Sequence, residues 1–255
     1  MPKVSVIMTY FNRQAQLEKT LRSIGESALK DIEVIIIDDL SDEEIKRPEA
    51  EFPVKIIRIT EKTWTNPEPA YNKGLIEALN NNPDIIIIQN AECYHVGDVL
   101  LYATRVTDES YISFSCFSID RETTFRQHDI NEVIRNNNRA ATQTGECAWY
   151  NHPEFRPVGY DFCVAMTKKT IITLNGYDER FSDGIAYGDD YLIARARMLG
   201  LKIEIPVNPF VVHQWHYTNN AHPKTAELIT KNSNLLNELL SLNQPRAIHL
   251  ITPDL

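Results

Sequence analysis

The sequence has few of the features that support a disulfide, zinc or redox site. Its 255 residues include only four cysteines, and no two of them form a Cys-x-x-Cys arrangement. We expect all four thiols to be reduced and at least partly buried, as free cysteine usually is. The cysteines are Cys93, Cys116, Cys147 and Cys163.

Excess positive charge and long apolar runs are also missing. The chain carries 26 Lys and Arg against 35 Asp and Glu, a net charge of -9, so it offers no basic stripe that could displace counterions from nucleic acid. We therefore expect no nucleic-acid partner. No apolar run approaches the ~20 residues of a transmembrane helix, and no signal peptide precedes the strand-like stretch at residues 4–8. We expect a cytoplasmic protein.

Strand-like and helix-like stretches alternate over the first 100 residues. Apolar, β-branched runs at 4–8, 32–37, 54–59 and 85–88 predict strands, while 14–27 and 71–79 have helical spacing. This alternation predicts an α/β fold with a mainly parallel central sheet and flanking helices, with ligands at the carboxyl ends of the strands.

The rest of the chain has less regular patterning. Residues 107–161 read as strands and loops of variable order; further strands are predicted at 160–166, 202–205 and 209–212, and helices at 189–199 and 226–240. We expect one catalytic domain at 1–220, divided into a ligand-binding half (1–105) and an acceptor-side half (106–220). A C-terminal helix and tail would occupy 221–255.

Polar side chains follow three of the predicted strands. Thr9, Tyr10 and Asn12 follow the first, and the carboxylate pair Asp38 and Asp39 follows the second. Adjacent carboxylates at a strand end repel each other unless donors lie nearby, which a nucleobase imide or ribose hydroxyls would supply. Capping of a following helix is an equally good interpretation.

A second acidic element follows the four isoleucines of residues 85–88. Asn90 and Glu92 are two residues apart, so an extended chain places both on one side, where they suit a hard cation that bridges a diphosphate. The alternative is an Asx-turn followed by a surface glutamate.

Asp189 and Asp190 follow Gly188 and begin a predicted helix. Helix N-terminal amides favour carboxylates, so we expect Asp189 to stay ionised and to be suited to act as a general base; a simple N-cap is the alternative. Farther along, His213 and His216 could offer imidazoles to a metal that Glu92 also binds, although such a pair is often structural.

Together these motifs resemble the inverting glycosyltransferases of family two, which have the A-type nucleotide-sugar fold. The resemblance spans residues 3–216 and rests on the order of six segments. These are Thr9 to Asn12, Asp38 to Asp42, Ala70 to Gly74, Gln89 to Glu92, Asn175 to Phe181 and Gly188 to Leu192.

The resemblance implies a role for each motif. Thr9, Tyr10 and Asn12 would line the nucleoside pocket, Asp39 with Asp38 beside it would meet the uracil, and Asn72 and Lys73 would lie near the diphosphate. Asn90 and Glu92 stand where the family has its Asp-x-Asp metal motif, so an amide replaces the first carboxylate. Asp189 matches the catalytic base, with Asp190 as second choice, and His213 or His216 matches a late metal-binding histidine of galactosyl- and N-acetylgalactosaminyltransferase-like members.

The implied reaction is transfer of a sugar of the Gal, GalNAc or Glc type from a UDP-sugar to a hydroxyl of a glycan or lipid-linked acceptor, with Mn²⁺ or Mg²⁺ as cofactor. A lipid-linked acceptor leaves peripheral association with the inner membrane face open; the oligomeric state is open as well. Two other functions fit the same residues. The first is a non-catalytic nucleotide-sugar or glycan-binding protein that has lost its metal, which is compatible with Asn90. The second and less favoured is a nucleotidyltransferase, which shares the fold, but the Gly-rich loop with Lys or Arg that it would need after the first strand is absent from the sequence.

Overall fold

The computed structural model describes residues 1–47, 49–217 and 223–248. Within these ranges the chain forms eleven strands and eight α-helices. The strands are β1 Val4–Tyr10, β2 Ile32–Asp38, β3 Val54–Arg58, β4 Ile85–Asn90, β5 Cys93–Val96, β6 Ser110–Ser113, β7 Ser115–Ser118, β8 Ala148–Asn151, β9 Cys163–Thr167, β10 Lys202–Glu204 and β11 Phe210–His213. The helices are α1 Gln14–Gly25, α2 Glu68–Asn80, α3 Val99–Ala103, α4 Arg121–Phe125, α5 Ile130–Asn136, α6 Lys168–Leu174, α7 Gly188–Met198 and α8 Thr225–Leu242.

A seven-stranded mixed sheet forms the centre, in the order β10-β6-β9-β4-β1-β2-β3 among the described residues. Strands β4, β1, β2 and β3 run parallel to one another, and β9 runs antiparallel to β4 and β6. The isoleucines of β4 are buried because the sheet has apolar clusters on both faces. This confirms a single α/β domain with a mainly parallel sheet and flanking helices.

A smaller sheet, in the order β5-β11-β7-β8, stands beside the carboxyl ends of the central strands. Two of its strands, with helices α4 and α5, come from residues 107–161, where the sequence predicts strands and loops of variable order. Strand β5 was not predicted, because it begins directly after Glu92, only two residues beyond β4, and has no separate apolar run. It carries the chain away from Glu92, and its partner β11 brings His213 back beside Glu92.

The strand register aligns the predicted site motifs. Thr9 in β1 pairs with Asn90 in β4, and Tyr10 pairs with Asp38 in β2. The three predicted loops therefore do leave the sheet at one edge.

Several element boundaries differ from the sequence-based ones. Helix α2 begins at Glu68 rather than at Tyr71, because Pro67 and Pro69 stand where a helix accepts proline, in and before its first turn. No helix follows the Asp38–Asp39 pair within the described residues at 40–47, so helix capping does not explain it.

The predicted C-terminal helix is present as α8, and its buried Asn232 donates hydrogen bonds to the backbone oxygens of Phe181 and Ala186. The predicted boundary at 220/221 and the tail at 249–255 lie outside the described residues. Among the described helices, none has the length and apolarity that crossing a membrane requires.

Candidate active site

A pocket of about 410 Å³ opens at the carboxyl ends of β1, β2 and β4. Its walls come from the loops after β1, β2, β3 and β4, from the loop before α7, from helix α2 and from the chain segment that follows β11. The residues that line it are Thr9, Tyr10, Phe11, Arg13, Asp39, Lys62, Thr65, Asn66, Pro67, Tyr71, Asn90, Glu92, Ile185, His216 and Tyr217.

Asp39 forms one end of this pocket. Its carboxylate accepts hydrogen bonds from the Lys62 ammonium at 2.5 Å and from the Trp64 indole nitrogen at 2.9 Å. Burial raises the pKa of Asp39, and the contacts with Lys62 and Trp64 oppose that rise. The neighbouring Asp38 belongs to the β2 ladder, so its side chain is directed elsewhere and pairs with Arg58 at 2.9 Å.

Glu92 forms the other end, where three cationic or imidazole groups surround its carboxylate. The distances are 2.6 Å to Nη1 of Arg13, 3.3 Å to Nε2 of His213 and 3.2 Å to Nε2 of His216. Burial alone would raise the pKa of Glu92, but Arg13 and the two histidines outweigh it and hold the pKa well below its usual range. Burial lowers the pKa of His213, which favours the neutral imidazole that a metal requires.

The donor set at this end fits a divalent metal. Ligand atoms of Glu92, His213 and His216 all lie within 4.8 Å of one another. One carboxylate and two imidazoles are a common set for first-row divalent metals. The Arg13 contact is an ion pair without hydrogen-bond alignment, and Oε2 of the buried Glu92 has no hydrogen-bond partner among the described residues. Asn90 is held nearby, because its Oδ1 accepts a hydrogen bond from the Tyr71 hydroxyl at 3.1 Å.

An acidic group made of Glu68, Asp161, Asp189 and Asp190 lies beside the pocket, at the start of α7. Burial, followed by the charges of Asp161 and Asp190, raises the pKa of Asp189 to about 7. Burial also raises the pKa of Glu68 to about 8, with contributions from Asp189 and Asp161. Helix N-terminal amides therefore do not keep Asp189 fully ionised at neutral pH, contrary to the sequence-based expectation.

Asp189 is not the N-cap of α7, because that position is Tyr187, which makes no side-chain cap. The Asp189 carboxylate accepts a hydrogen bond from the backbone nitrogen of Asp190 at 2.9 Å. Burial raises the pKa of Asp190, against a hydrogen bond from Tyr160 and the charge of Arg156.

A short bridge links the acidic group to the pocket. The side-chain amide of Asn66, which lines the pocket, donates to Glu68 and to the backbone oxygen of Ala186, each at 3.0 Å. Tyr71, also a lining residue, stacks on Tyr177 with ring centroids 4.8 Å apart, and the Tyr177 hydroxyl donates to Asp161. The acidic group therefore adjoins the pocket through Asn66 and Tyr71.

The structure brings together many of the residues singled out in the sequence. Thr9, Tyr10, Asp39, Asn90, Glu92 and His216 line the pocket, and His213 contacts Glu92 from its edge. Asp189 and Asp190 do not line the pocket, and both side chains are partly exposed at the start of α7.

Four predicted residues lie elsewhere. Asp38 pairs with Arg58, and Asn12 exchanges hydrogen bonds with Asp42 beside a neighbouring pocket. Asn72 is buried, and its side-chain amide donates to the backbone oxygen of Tyr177 and accepts from the backbone nitrogen of the same residue. Lys73 points to solvent on α2. None of the four lines the pocket as the chain is described.

Sequence reasoning missed five residues of the site. Arg13 directly follows the Thr9 to Asn12 motif, and Lys62 and Trp64 follow the third predicted strand, so the rule that ligands gather at strand ends could have found them. Glu68 and Asp161 gave no comparable signal, because the first lies beside two prolines and the second in the irregular region.

Comparisons with known proteins agree with this geometry. The family model described as Glycosyl transferase family 2 matches residues 5–159. A β-1,3-glucosyltransferase of Campylobacter jejuni, named for GalNAc(5)-diNAcBac-PP-undecaprenol, is 50% identical over 46 residues, which are 18% of this chain and 15% of that enzyme.

Solved structures share the fold at low sequence identity. TarS 1-349 of S. aureus in complex with UDP-GlcNAc has a TM-score of 0.61 at 12% identity, over 97% of this chain and 68% of that one. The mannosyltransferase PcManGT from Pyrobaculum calidifontis, in complex with GDP-Man and Mn²⁺, has a TM-score of 0.53 at 18% identity, over 83% of this chain and 56% of that one.

The chain spans only part of the length of these relatives. The family model nevertheless covers more than half of this chain, and it includes the β1, β2 and β4 motifs from which the pocket is built. The chain therefore belongs to glycosyl transferase family 2.

Proposed function

We propose that this glycosyltransferase moves a Gal, GalNAc or Glc-type sugar from a UDP-sugar to a hydroxyl of a glycan or lipid-linked acceptor, with inversion at the anomeric carbon. The observation that carries the proposal is a single pocket with Asp39 at one end and Glu92 and His216 at the other. A carboxylate suits a nucleobase imide, and the opposite end suits a metal-bound diphosphate.

Nucleoside binding is assigned to the first end. The imide N–H of uracil can donate a hydrogen bond to the Asp39 carboxylate, whereas cytosine has no N–H at that position. Lys62 and Trp64 hold the carboxylate in place. Thr9 and Tyr10 form the pocket wall that the nucleoside would contact.

Glu92, His213 and His216 would hold the Mn²⁺ or Mg²⁺ ion, with Asn90 beside them as a neutral oxygen donor. A divalent cation there supplies positive charge to the departing diphosphate. The guanidinium of Arg13 lines the same end and adds a fixed positive charge from the protein.

Asp189 is assigned the proton transfer. The acceptor oxygen forms a bond to the anomeric carbon as the bond from that carbon to the diphosphate oxygen breaks. The hydroxyl proton passes to the Asp189 carboxylate, and UDP leaves with the bonding electrons. A pKa of about 7 suits a general base at neutral pH, with Asp190 as the second choice.

The Campylobacter relative is named for an undecaprenol-linked glycan, which supports a lipid-linked acceptor here. Such an acceptor would place the enzyme in the cytoplasm, at the inner face of the membrane. A soluble glycan acceptor would need no such attachment.

The test begins with thermal shifts against UDP, GDP and CMP, with and without Mn²⁺. UDP with Mn²⁺ is expected to give the largest shift, and Asp39→Asn is expected to reduce the preference for UDP. A larger shift with GDP or CMP would contradict the assignment of the donor.

The base is tested by Asp189→Asn, which is expected to retain UDP binding while losing UDP release from a UDP-sugar. The matched control is Asp183→Asn, because Asp183 is an exposed aspartate that precedes the same helix. Loss of UDP binding and release together in Asp189→Asn would indicate a structural role instead.

A further inference from the structure

An aromatic cleft of about 340 Å³ lies on the other side of His213 and His216 from the candidate active-site pocket, which is called the nucleotide pocket from here on. Four aromatic residues, Tyr150, Phe162, Trp215 and Tyr217, contribute to its walls together with the ring of His213. Tyr150 stacks on Phe162 with ring centroids 5.4 Å apart. A cleft of this size lies at the lower end of small-ligand sites, and its flat apolar walls suit the carbon-hydrogen faces of a sugar ring.

Unpartnered polar atoms lie in the walls of the aromatic cleft. The Ser118 side chain is fully buried, yet its hydroxyl has no hydrogen-bond partner among the described residues. His213 is its register partner on β11 and has an equally unpartnered Nδ1. A buried hydroxyl without a partner costs about 1–3 kcal/mol, so its persistence points to a ligand that supplies hydroxyl groups.

The aromatic cleft continues in two directions. It shares His216 and Tyr217 with the nucleotide pocket, and it shares Gly145 with a polar pocket of about 700 Å³ formed around α4 and α5. Gly145 has a φ of +81°, and a Cβ there would stand 3.5 Å from the Trp215 ring. Its backbone nitrogen donates to the Tyr150 hydroxyl at 2.7 Å, which fixes the junction between the two cavities.

This continuity favours an acceptor over the donor sugar as occupant. A nucleotide sugar carries one ring beyond its diphosphate, which the aromatic cleft alone would accommodate. The additional 700 Å³ is room for at least one more ring.

The polar pocket also indicates the charge of its occupant. Asp120, Asp129 and Glu132 line it, and its arginine, Arg139, is already paired with Glu146 at 2.9 Å. An anionic glycan would be repelled there, whereas the hydroxyl groups of a neutral one would find acceptors.

We propose that the acceptor is an uncharged glycan of at least two residues, with its terminal sugar in the aromatic cleft and the preceding sugar in the polar pocket. This inference rests on the proposed transferase reaction, because the terminal sugar then lies beside the end of the nucleotide pocket assigned to the diphosphate. Asp161 immediately precedes Phe162 of the cleft wall, so the cleft also adjoins the acidic group at α7.

The experiment measures saturation-transfer NMR on the full chain with UDP and Mg²⁺ present. The probes are lactose, N,N′-diacetylchitobiose, their component monosaccharides and 3′-sialyllactose. At least one uncharged disaccharide is expected to bind more tightly than its monosaccharides, and sialyllactose is expected to bind more weakly than lactose. No binding by either disaccharide, or equal binding of sialyllactose and lactose, overturns the proposal.

Two substitutions locate the binding. Trp215→Ala is expected to weaken disaccharide binding about tenfold through the lost ring surface. Ser118→Ala is expected to weaken it about threefold, while the melting temperature stays level or rises because an unpartnered hydroxyl is removed. Tyr102→Ala, which changes a partly exposed aromatic residue of α3 away from the cleft, is the matched control.

UDP and UDP-glucose affinities separate this inference from the proposed function. If Trp215→Ala weakens UDP-glucose but not UDP, the donor sugar occupies the cleft and the acceptor proposal is wrong. Failure of the wild-type protein to bind UDP at all would refute the proposed function instead.

Discussion

Replacement of Arg13 by glutamine is expected to tighten manganese binding about tenfold, which corresponds to about 1.4 kcal/mol. Arg13 Nη1 lies 2.6 Å from Glu92 Oε2, and the two side chains are 17% and 3% exposed. A cation that enters between Glu92 and the histidines must displace this guanidinium or sit beside it. If the proposed metal binds there, Arg13 competes with it for the Glu92 carboxylate.

The size of the effect follows from the geometry of the pair. Coulomb attraction at 2.6 Å amounts to about 6 kcal/mol at an effective dielectric constant of ~20. Removal of both charges from water and ordering of the arginine cancel most of this energy. The contact also lacks hydrogen-bond alignment, so on the order of 1–2 kcal/mol remains to oppose the metal.

Titration calorimetry with Mn²⁺ in the absence of nucleotide measures the effect directly. Arg22→Gln is the matched control, because Arg22 is an exposed arginine in the last turn of α1, the helix that Arg13 precedes as N-cap. Manganese affinity that is unchanged or weaker in Arg13→Gln, with an unchanged melting temperature, would refute the competition. UDP affinity is expected to fall in the same variant, since the pocket loses a cation.

Three further predictions concern the acidic group and its support. Burial raises the folded-state pKa of Glu68 from 4.5 to about 8, so the folded protein binds that proton more tightly than the unfolded chain does. The free energy of unfolding is therefore expected to fall as pH rises from 4.5 to 8, by at most about 1.4 kcal/mol per unit of pKa shift. Chemical denaturation across this pH range should show a smaller fall for Glu68→Gln than for the control variant Glu77→Gln. The rate constant kcat/KM is expected to be about tenfold lower at pH 6 than on its high-pH plateau, because Asp189 has a pKa of about 7; a flat profile between pH 6 and 8 would exclude it as the base. Asn72→Ala is expected to lower the melting temperature through loss of its hydrogen bonds to Tyr177 and to leave UDP affinity unchanged, which thermal melts and calorimetry would check.

The sequence was informative where strand ends determine position. Thr9, Asn90 and Asp39 could be predicted to meet because parallel strands in a single sheet end at one edge. His213 was linked to Glu92 only as a possible partner ligand of one metal and through the family resemblance, because the intervening 120 residues gave no local signal for the second sheet that brings them together.

For the other site residues, the sequence did not determine which side chains of a strand or helix face the pocket. Neighbouring residues on a strand point to opposite sides, so Asp38 and Asp39 could not both face the pocket, and the sequence did not say which one does. On α2 the pocket-facing residue is Tyr71, whereas Asn72 and Lys73 turn away by successive steps of about 100°. The orientation of that helix is set by long-range packing, which a local motif does not encode.

Helix α2 determines how the Glu92 end of the pocket and the loop before α7 can move relative to each other. The Tyr71 hydroxyl donates to Asn90 at the Glu92 end of the pocket, while the adjacent Asn72 donates to the backbone oxygen of Tyr177 in the loop that precedes α7. Both hydrogen bonds are thus made by consecutive residues of one helix. Any tilt of helix α2 would move the end of the pocket at Asn90 and the loop before α7 together, so the spacing between the proposed diphosphate site and the proposed base would be preserved while the outer loops rearrange.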